Sequence, residues 1–87
     1  MSTPITVTVR YFASIREALG TGSETCSTAA ATLGALRDEL IARGGSAAQA
    51  LARGKAVRMA HNQVLSDESA LLAAGDEVAF FPPVTGG

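Results

Sequence analysis

An α+β fold, with one main helix packed on one face of a mixed β-sheet, is predicted by three features of this 87-residue sequence. Apolar and polar residues alternate strictly over residues 5–11, as expected of a half-buried strand. A second apolar segment, at 77–81, lies between a turn sequence and two prolines. Between these segments, leucines recur at helical spacing after Thr32. This order of elements is typical of a helix layer on a single sheet.

The N-terminal third is predicted to form a hairpin that contains a short helix. The first strand, at 5–11, directs alternate apolar side chains into the core, namely Ile5, Val7, Val9 and Tyr11. Residues 13–19 are predicted to form a short helix that ends at Gly20. A strand at 23–27 then pairs with the first strand.

The main helix is predicted to begin after Thr32, because a threonine side chain there can cap it, and to end at the Arg43–Gly45 segment. Leucines form its core face. Its other face is predicted to carry three charged residues, Arg37, Asp38 and Glu39. An alanine-rich second helix is expected at 46–53.

The C-terminal half is predicted to contain short strands at 57–60 and 64–65, a one-turn helix at Leu71–Leu72 and the last strand at 77–81. Pro82 and Pro83 stop that strand because proline has no N–H to donate to a ladder. The first and last strands are the most apolar, so we expect them side by side at the centre. The resulting architecture is a β-grasp domain over 1–81, followed by a flexible tail at 82–87.

Composition excludes several classes of function. A hydrophobic content of 47% and a charged content of 17% indicate a globular domain. The net charge is −1 and the basic residues are scattered, which argues against nucleic-acid binding. The sequence has no apolar run of membrane-spanning length and no signal-peptide pattern at its start. Together with a single cysteine, these features predict a cytoplasmic protein.

The C-terminal segment resembles a known family. Residues 75–87, GDEVAFFPPVTGG, are similar to the end of the small subunits of molybdopterin synthase, which are ubiquitin-like sulfur carriers. Weaker matches occur at 9–13, 16–17, 33–37 and 60–63, where His61 replaces a more usual apolar residue. The resemblance therefore touches both ends and the middle of the chain.

The resemblance implies that Gly87 is the reactive residue. An adenylyltransferase of the ubiquitin-activating type would use Mg-ATP to adenylate its carboxylate, and a sulfur donor protein would then supply sulfur to form a thiocarboxylate. The large synthase subunit, in a heterotetramer, would accept the tail, and the sulfur would pass to cyclic pyranopterin monophosphate. The chain itself would bind no cofactor or metal and would not be catalytic alone.

The tail has properties that suit this role. Gly86 and Gly87 lack side chains, so they can enter a channel too narrow for any other residue. Two prolines favour an extended backbone that leaves the sheet. The residues predicted to thread into the partner are Pro82, Pro83, Val84, Thr85 and Gly86.

Strand alternation predicts a docking face beside the tail. Phe80 faces the core, whereas Phe81 points to the opposite face. Phe12 also turns outward if the first strand continues, so Phe12 and Phe81 are predicted to form a partner-binding patch, flanked by Arg16. The alternatives are that a turn or the first helix covers Phe12, and that Arg16 is an ordinary solvated residue.

Several chemically interesting residues are assigned no functional role. Cys26 is expected to be a buried structural thiol, with no evident basic neighbour to lower its pKa. His61 has no second ligand at metal-binding spacing. Asp76 and Glu77 point to opposite faces of a strand and so cannot form a dyad. The role of Lys55 stays open.

Three other functions remain open from the sequence. A sulfur carrier for thiazole, cysteine or tungsten-pterin synthesis would share the tail and the fold. A ubiquitin-like protein modifier would use the same adenylation step. An inert β-grasp interaction domain would make no use of the two glycines. An enzyme acting alone is disfavoured, because the sequence shows no nucleophile–base pair or phosphate loop.

Overall fold

The computed structural model describes residues 3–83, in which five strands and three helices follow one another. In chain order they are β1 (Ile5–Tyr11), α1 (Ala13–Leu19), β2 (Ser23–Thr28), α2 (Leu33–Ala42), α3 (Gly45–Ala50), β3 (Arg58–His61), β4 (Val64–Ser66) and β5 (Glu77–Phe81). Within 3–83, none of the helices has the length and apolarity that crossing a membrane requires.

The five strands form one mixed sheet in the order β2-β1-β5-β3-β4. Strand β1 runs parallel to β5, and the other neighbouring strands are antiparallel. Val9 pairs with Val78 and Tyr11 with Phe80, and none of the four is more than 1% exposed. The prediction that the first and last strands lie together at the centre is confirmed, because their apolar side chains are buried most completely there.

Helix α2 covers the inner face of this sheet. Its leucines pack in one cluster with the inward residues of β1 and β5. The helix begins as predicted, since the Thr32 hydroxyl accepts a hydrogen bond from the backbone N–H of Ala35 at 3.1 Å. It ends at Ala42 with Arg43 as its C-terminal cap, and Gly44 follows with a positive φ of 78° that favours glycine.

The one-turn helix predicted at Leu71–Leu72 is wrong. Leu71 instead forms an antiparallel bridge with Thr32, and the Leu72 N–H donates to the carbonyl of Ala31 at 2.9 Å. This segment is held extended because it pairs with the chain that enters α2. The second short helix also differs from prediction, since α3 spans Gly45–Ala50 and ends three residues early.

Arg37 is a second correction, because it lies on the buried face of α2 and is only 4% exposed. Its position four residues after Leu33 places both side chains on the same helix face. The guanidinium satisfies carbonyls just after α3, which explains how an arginine is tolerated there. It donates hydrogen bonds to the backbone oxygens of Leu51 (2.8 Å), Ala52 (2.7 Å) and Lys55 (3.2 Å), and to the Glu68 carboxylate (3.1 Å).

Replacing Arg37 should destabilise the domain far more than replacing its exposed neighbour Arg53. Arg37→Ala leaves the carbonyls of Leu51 and Lys55 without the donor that Arg37 supplies and leaves Ala52 with only the Lys55 N–H, which should cost about 2–4 kcal/mol of unfolding free energy. Arg53→Ala removes exposed ion pairs to Asp38 and Glu68 and should cost about 0–1 kcal/mol. Urea denaturation followed by circular dichroism measures both; equal losses would contradict the structural role given to Arg37.

Candidate functional site

The candidate site is built around the tail root, which we define as Phe81, Pro82 and Pro83. Phe81 is the last residue of β5 and lies opposite Arg58 of β3. The two prolines that follow cannot donate to either neighbouring strand, so the ladder ends at this point. The predicted threading residues Val84, Thr85 and Gly86, and the predicted reactive residue Gly87, lie outside the described residues.

Phe12 lies beside the tail root. Its backbone N–H donates to the carbonyl of Phe80 at 3.2 Å, which continues the β1–β5 ladder by one residue. Phe12 directly follows β1 and Phe81 ends the neighbouring strand β5, and strand alternation places both on the face that the helices do not cover. Phe12 is 42% exposed and Phe81 is half-buried, so the helix that follows Phe12 does not cover its ring completely.

A different arginine from the predicted one contacts the Phe12 ring. The Arg10 guanidinium lies 5.6 Å from the ring centroid, a cation–π contact worth about 0.5–1 kcal/mol at an exposed site. Arg16 is exposed, and its side chain lies against Gly22, where an added Cβ would be 3.3 Å from the guanidinium nitrogen. Strand alternation places Arg10 and Phe12 on one face, so the sequence held the signal for this contact.

Pro82 lines a half-open notch of about 130 Å³ on the helix side of the tail root. Helix α1 forms one wall, and the segment after α3 forms the other. The lining is apolar apart from a serine and a lysine, and it comprises Ser14, Ile15, Ala18, Ala50, Lys55, Ala56, Val57 and Pro82. The tail root thus has an aromatic neighbour on one face and this notch on the other.

Cys26 is itself buried, at 3% exposed, and belongs to a partly exposed polar cluster with Glu24 and Arg43. Its thiol donates to Glu24 at 3.4 Å and accepts from Arg43 at 3.4 Å, so a basic neighbour is present that the sequence did not reveal. Burial nevertheless dominates and raises the pKa of the Cys26 thiol. Tyr11 also donates to Glu24, at 2.8 Å, and burial raises the pKa of its phenol. The cluster ties the β1–β2 hairpin to the end of α2.

His61 forms a hydrogen bond with Asp76, at 2.6 Å between Nε2 and Oδ2. The Asp76 carboxylate also accepts from the backbone N–H of Ala73 at 2.8 Å and from the Asn62 amide at 3.3 Å. These three hydrogen bonds lower the pKa of Asp76, and the one from His61 lowers it most. Across residues 3–83, no group of three His, Cys, Asp or Glu side chains is arranged to hold a metal ion.

Comparison with known proteins gives a family and close relatives. The model of the ThiS family matches residues 9–87. The chain is 43% identical over 81 residues to the molybdopterin synthase sulfur carrier subunit of Escherichia coli (strain K12), covering 93% of this chain and 99% of that protein.

Solved structures agree with this comparison. A chain in the complex of subunits 1 and 2 of the molybdopterin-converting factor from Helicobacter pylori 26695 superposes with a TM-score of 0.63 and 30% identity, covering 95% of this chain and all of that one. The small archaeal modifier protein 1 of H. volcanii superposes with a TM-score of 0.73 and 26% identity, covering 92% of this chain and 99% of that one.

Acid should weaken the fold partly through Asp76. Because its pKa is lowered on folding, its hydrogen bonds contribute stability that is fully present above the unfolded value of about 3.9 and is lost as pH falls through the folded value. Asp76→Asn should therefore flatten the fall in unfolding free energy between about pH 5 and pH 2. Urea denaturation across this interval measures the slope. Glu17→Gln, which removes an exposed carboxylate, is the control, and equal slopes in wild type and Asp76→Asn would contradict the assignment.

Proposed function

The chain belongs to the ThiS family, and from this premise we propose that it is the sulfur carrier subunit of a molybdopterin synthase. The observation that carries the proposal is the 43% identity, over nearly its whole length, to the E. coli sulfur carrier subunit. The ubiquitin-like β-grasp fold and the tail root at the end of the central strand are consistent with it.

The proposed chemistry takes place at the Gly87 carboxylate. A carboxylate is a poor electrophile, so its oxygen first attacks the α-phosphorus of Mg-ATP on an adenylyltransferase, releasing pyrophosphate and forming an acyl-adenylate. Sulfide-level sulfur from a donor protein then attacks the carbonyl carbon, AMP leaves, and a thiocarboxylate forms. That soft, ionised nucleophile forms a carbon–sulfur bond to cyclic pyranopterin monophosphate in the large subunit, in place of an oxygen substituent. Water then cleaves the bond between this sulfur and the Gly87 carbonyl carbon and restores the carboxylate.

In this proposal the domain's own side chains take no part in the chemical steps. The acid, base and metal chemistry of adenylation and transfer belongs to the partners, and the domain supplies a rigid body that aligns the tail. The partly buried hydrogen-bond clusters around Glu24 and Asp76 fit a structural role of this kind. The chain alone is then a co-substrate for its partners, in the cytoplasm.

Docking is proposed to use Phe12 and Phe81, with Arg16 at the margin. Exposed aromatic side chains beside a functional terminus are typical anchors of protein interfaces. The large synthase subunit is the proposed partner for this patch, in a heterotetramer. The H. pylori structure is of a complex between two subunits of the molybdopterin-converting factor, which supports a pairing of this type.

A protein modifier is the second candidate, favoured by the likeness to the small archaeal modifier protein 1. A modifier would also be adenylated but would join Gly87 to lysine amines instead of taking up sulfur. High-molecular-weight conjugates in cells would favour this candidate. Carriers for thiazole, cysteine or tungsten-pterin synthesis share the tail chemistry and differ in the enzyme that accepts the sulfur.

Deleting Gly87 should abolish thiocarboxylate formation and leave the fold intact. The full chain, incubated with ATP, the activating enzyme and a sulfur donor, should gain about 16 Da, the mass of one sulfur-for-oxygen exchange. A chain lacking Gly87 should gain nothing in intact-mass spectrometry, while its melting curve matches that of the full chain. Sulfur uptake by the shortened chain would contradict the assignment of Gly87 as the residue that accepts sulfur.

Phe81→Ala should weaken binding to the large subunit by at least about tenfold, with a small effect on melting temperature. The matched control is Phe80→Ala, because Phe80 is fully buried and its loss should cost about 3–5 kcal/mol of unfolding free energy. Calorimetric titration and thermal unfolding measure the two effects. If Phe81→Ala damages stability as much as Phe80→Ala does, Phe81 is a core residue instead.

A further inference from the structure

Three cationic side chains have no ion-pair partner among the described carboxylates. Of the seven Lys and Arg residues in the chain, four lie within 4.0 Å of a carboxylate, namely Arg10, Arg37, Arg43 and Arg53. The remaining three are Arg16, Lys55 and Arg58, and all three are exposed. Cations left unpaired in a chain of net charge −1 are available to a partner.

Two of these three cations border the tail root. Arg58 begins β3 and lies directly opposite Phe81 in the β3–β5 ladder. Lys55 lines the notch that Pro82 also lines. A partner that accepts the tail must therefore pass close to both cations.

The segment that carries Lys55 is ordered before any partner binds. The buried Arg37 guanidinium donates to the carbonyls of Ala52 and Lys55, and the Lys55 N–H donates to the carbonyl of Ala52 at 2.9 Å. Because the backbone is already anchored in this way, the segment loses less conformational entropy when a partner docks.

We propose that Lys55 and Arg58 form a cationic docking pair that binds acidic side chains at the rim of the channel in the large subunit that receives the tail. This inference rests on the proposed function. The pair extends the Phe12–Phe81 patch around the tail root, onto the notch side. Two exposed, unpaired cations attract acidic side chains, because these carry the opposite charge.

Cations at the rim of an interface act mainly on the rate of association. They steer the partner during encounter, and salt screens their effect over about 8–10 Å. Phe12 and Phe81, by contrast, would hold the complex through buried contact and so would act on dissociation. The docking pair is therefore separable from the aromatic patch by its dependence on ionic strength.

The test measures association of the full chain with the large subunit of the same organism by stopped flow, at about 50 mM and about 500 mM salt. The double variant Lys55→Gln/Arg58→Gln should associate about tenfold more slowly at low salt and within about twofold of wild type at high salt. The conservative variant Lys55→Arg/Arg58→Lys keeps both charges and should retain the wild-type rate.

A matched control separates local charge from net charge. Thr3→Glu/Ser27→Glu changes the net charge by the same two units at exposed positions on the opposite end of the sheet, and it should leave the rate unchanged. The inference is overturned if the double variant associates at the wild-type rate in low salt, if the control slows equally, or if the conservative variant slows as much. In each of these cases wild type still binds, so the proposed function stands. Absence of wild-type binding would overturn both.

Discussion

The parallel pairing of β1 with β5 is the interaction on which the rest of the structure depends. It joins the two ends of the chain, so its loop-closure entropy must be offset by burial. Val9, Tyr11, Val78 and Phe80 supply that burial, and the Tyr11 and Phe80 rings stack with centroids 6.4 Å apart. The same pairing decides the location of the candidate site, because it places Phe12 beside the tail root.

Arg37 supplies a second constraint, across the helical layer. A buried arginine is expensive unless its donors are all satisfied, and here it satisfies three carbonyls and one carboxylate. Its effect is to hold the segment between α3 and β3 in one conformation. The wall of the notch, and the lysine on it, are thereby positioned relative to Pro82. Stability and the position of the notch wall thus depend on one side chain.

In the proposed function, the body that a partner recognises is separate from the group that reacts. The titratable clusters among residues 3–83 tie elements of the fold together, as Glu24 ties Tyr11 to Arg43 and Asp76 ties His61 to the turn before β5. Carriers and modifiers can share this body because adenylation needs only a terminal carboxylate that reaches another protein's active site. In the proposed function, the surface around the tail root is the part that selects the partner.

Much of the fold followed from the sequence because its signals are local. Alternation over 5–11, a threonine cap and prolines after 81 each act within a few residues, so they determined β1, the start of α2 and the end of β5. The family could also be predicted from the sequence, and the family model that matches residues 9–87 confirms it. Tertiary structure alone decided the carbonyls that Arg37 contacts, the bridge between Leu71 and Thr32, and the approach of Arg43 to Cys26. Each of these joins residues distant in sequence, and no local pattern specifies which distant carbonyl, strand or thiol a side chain will meet.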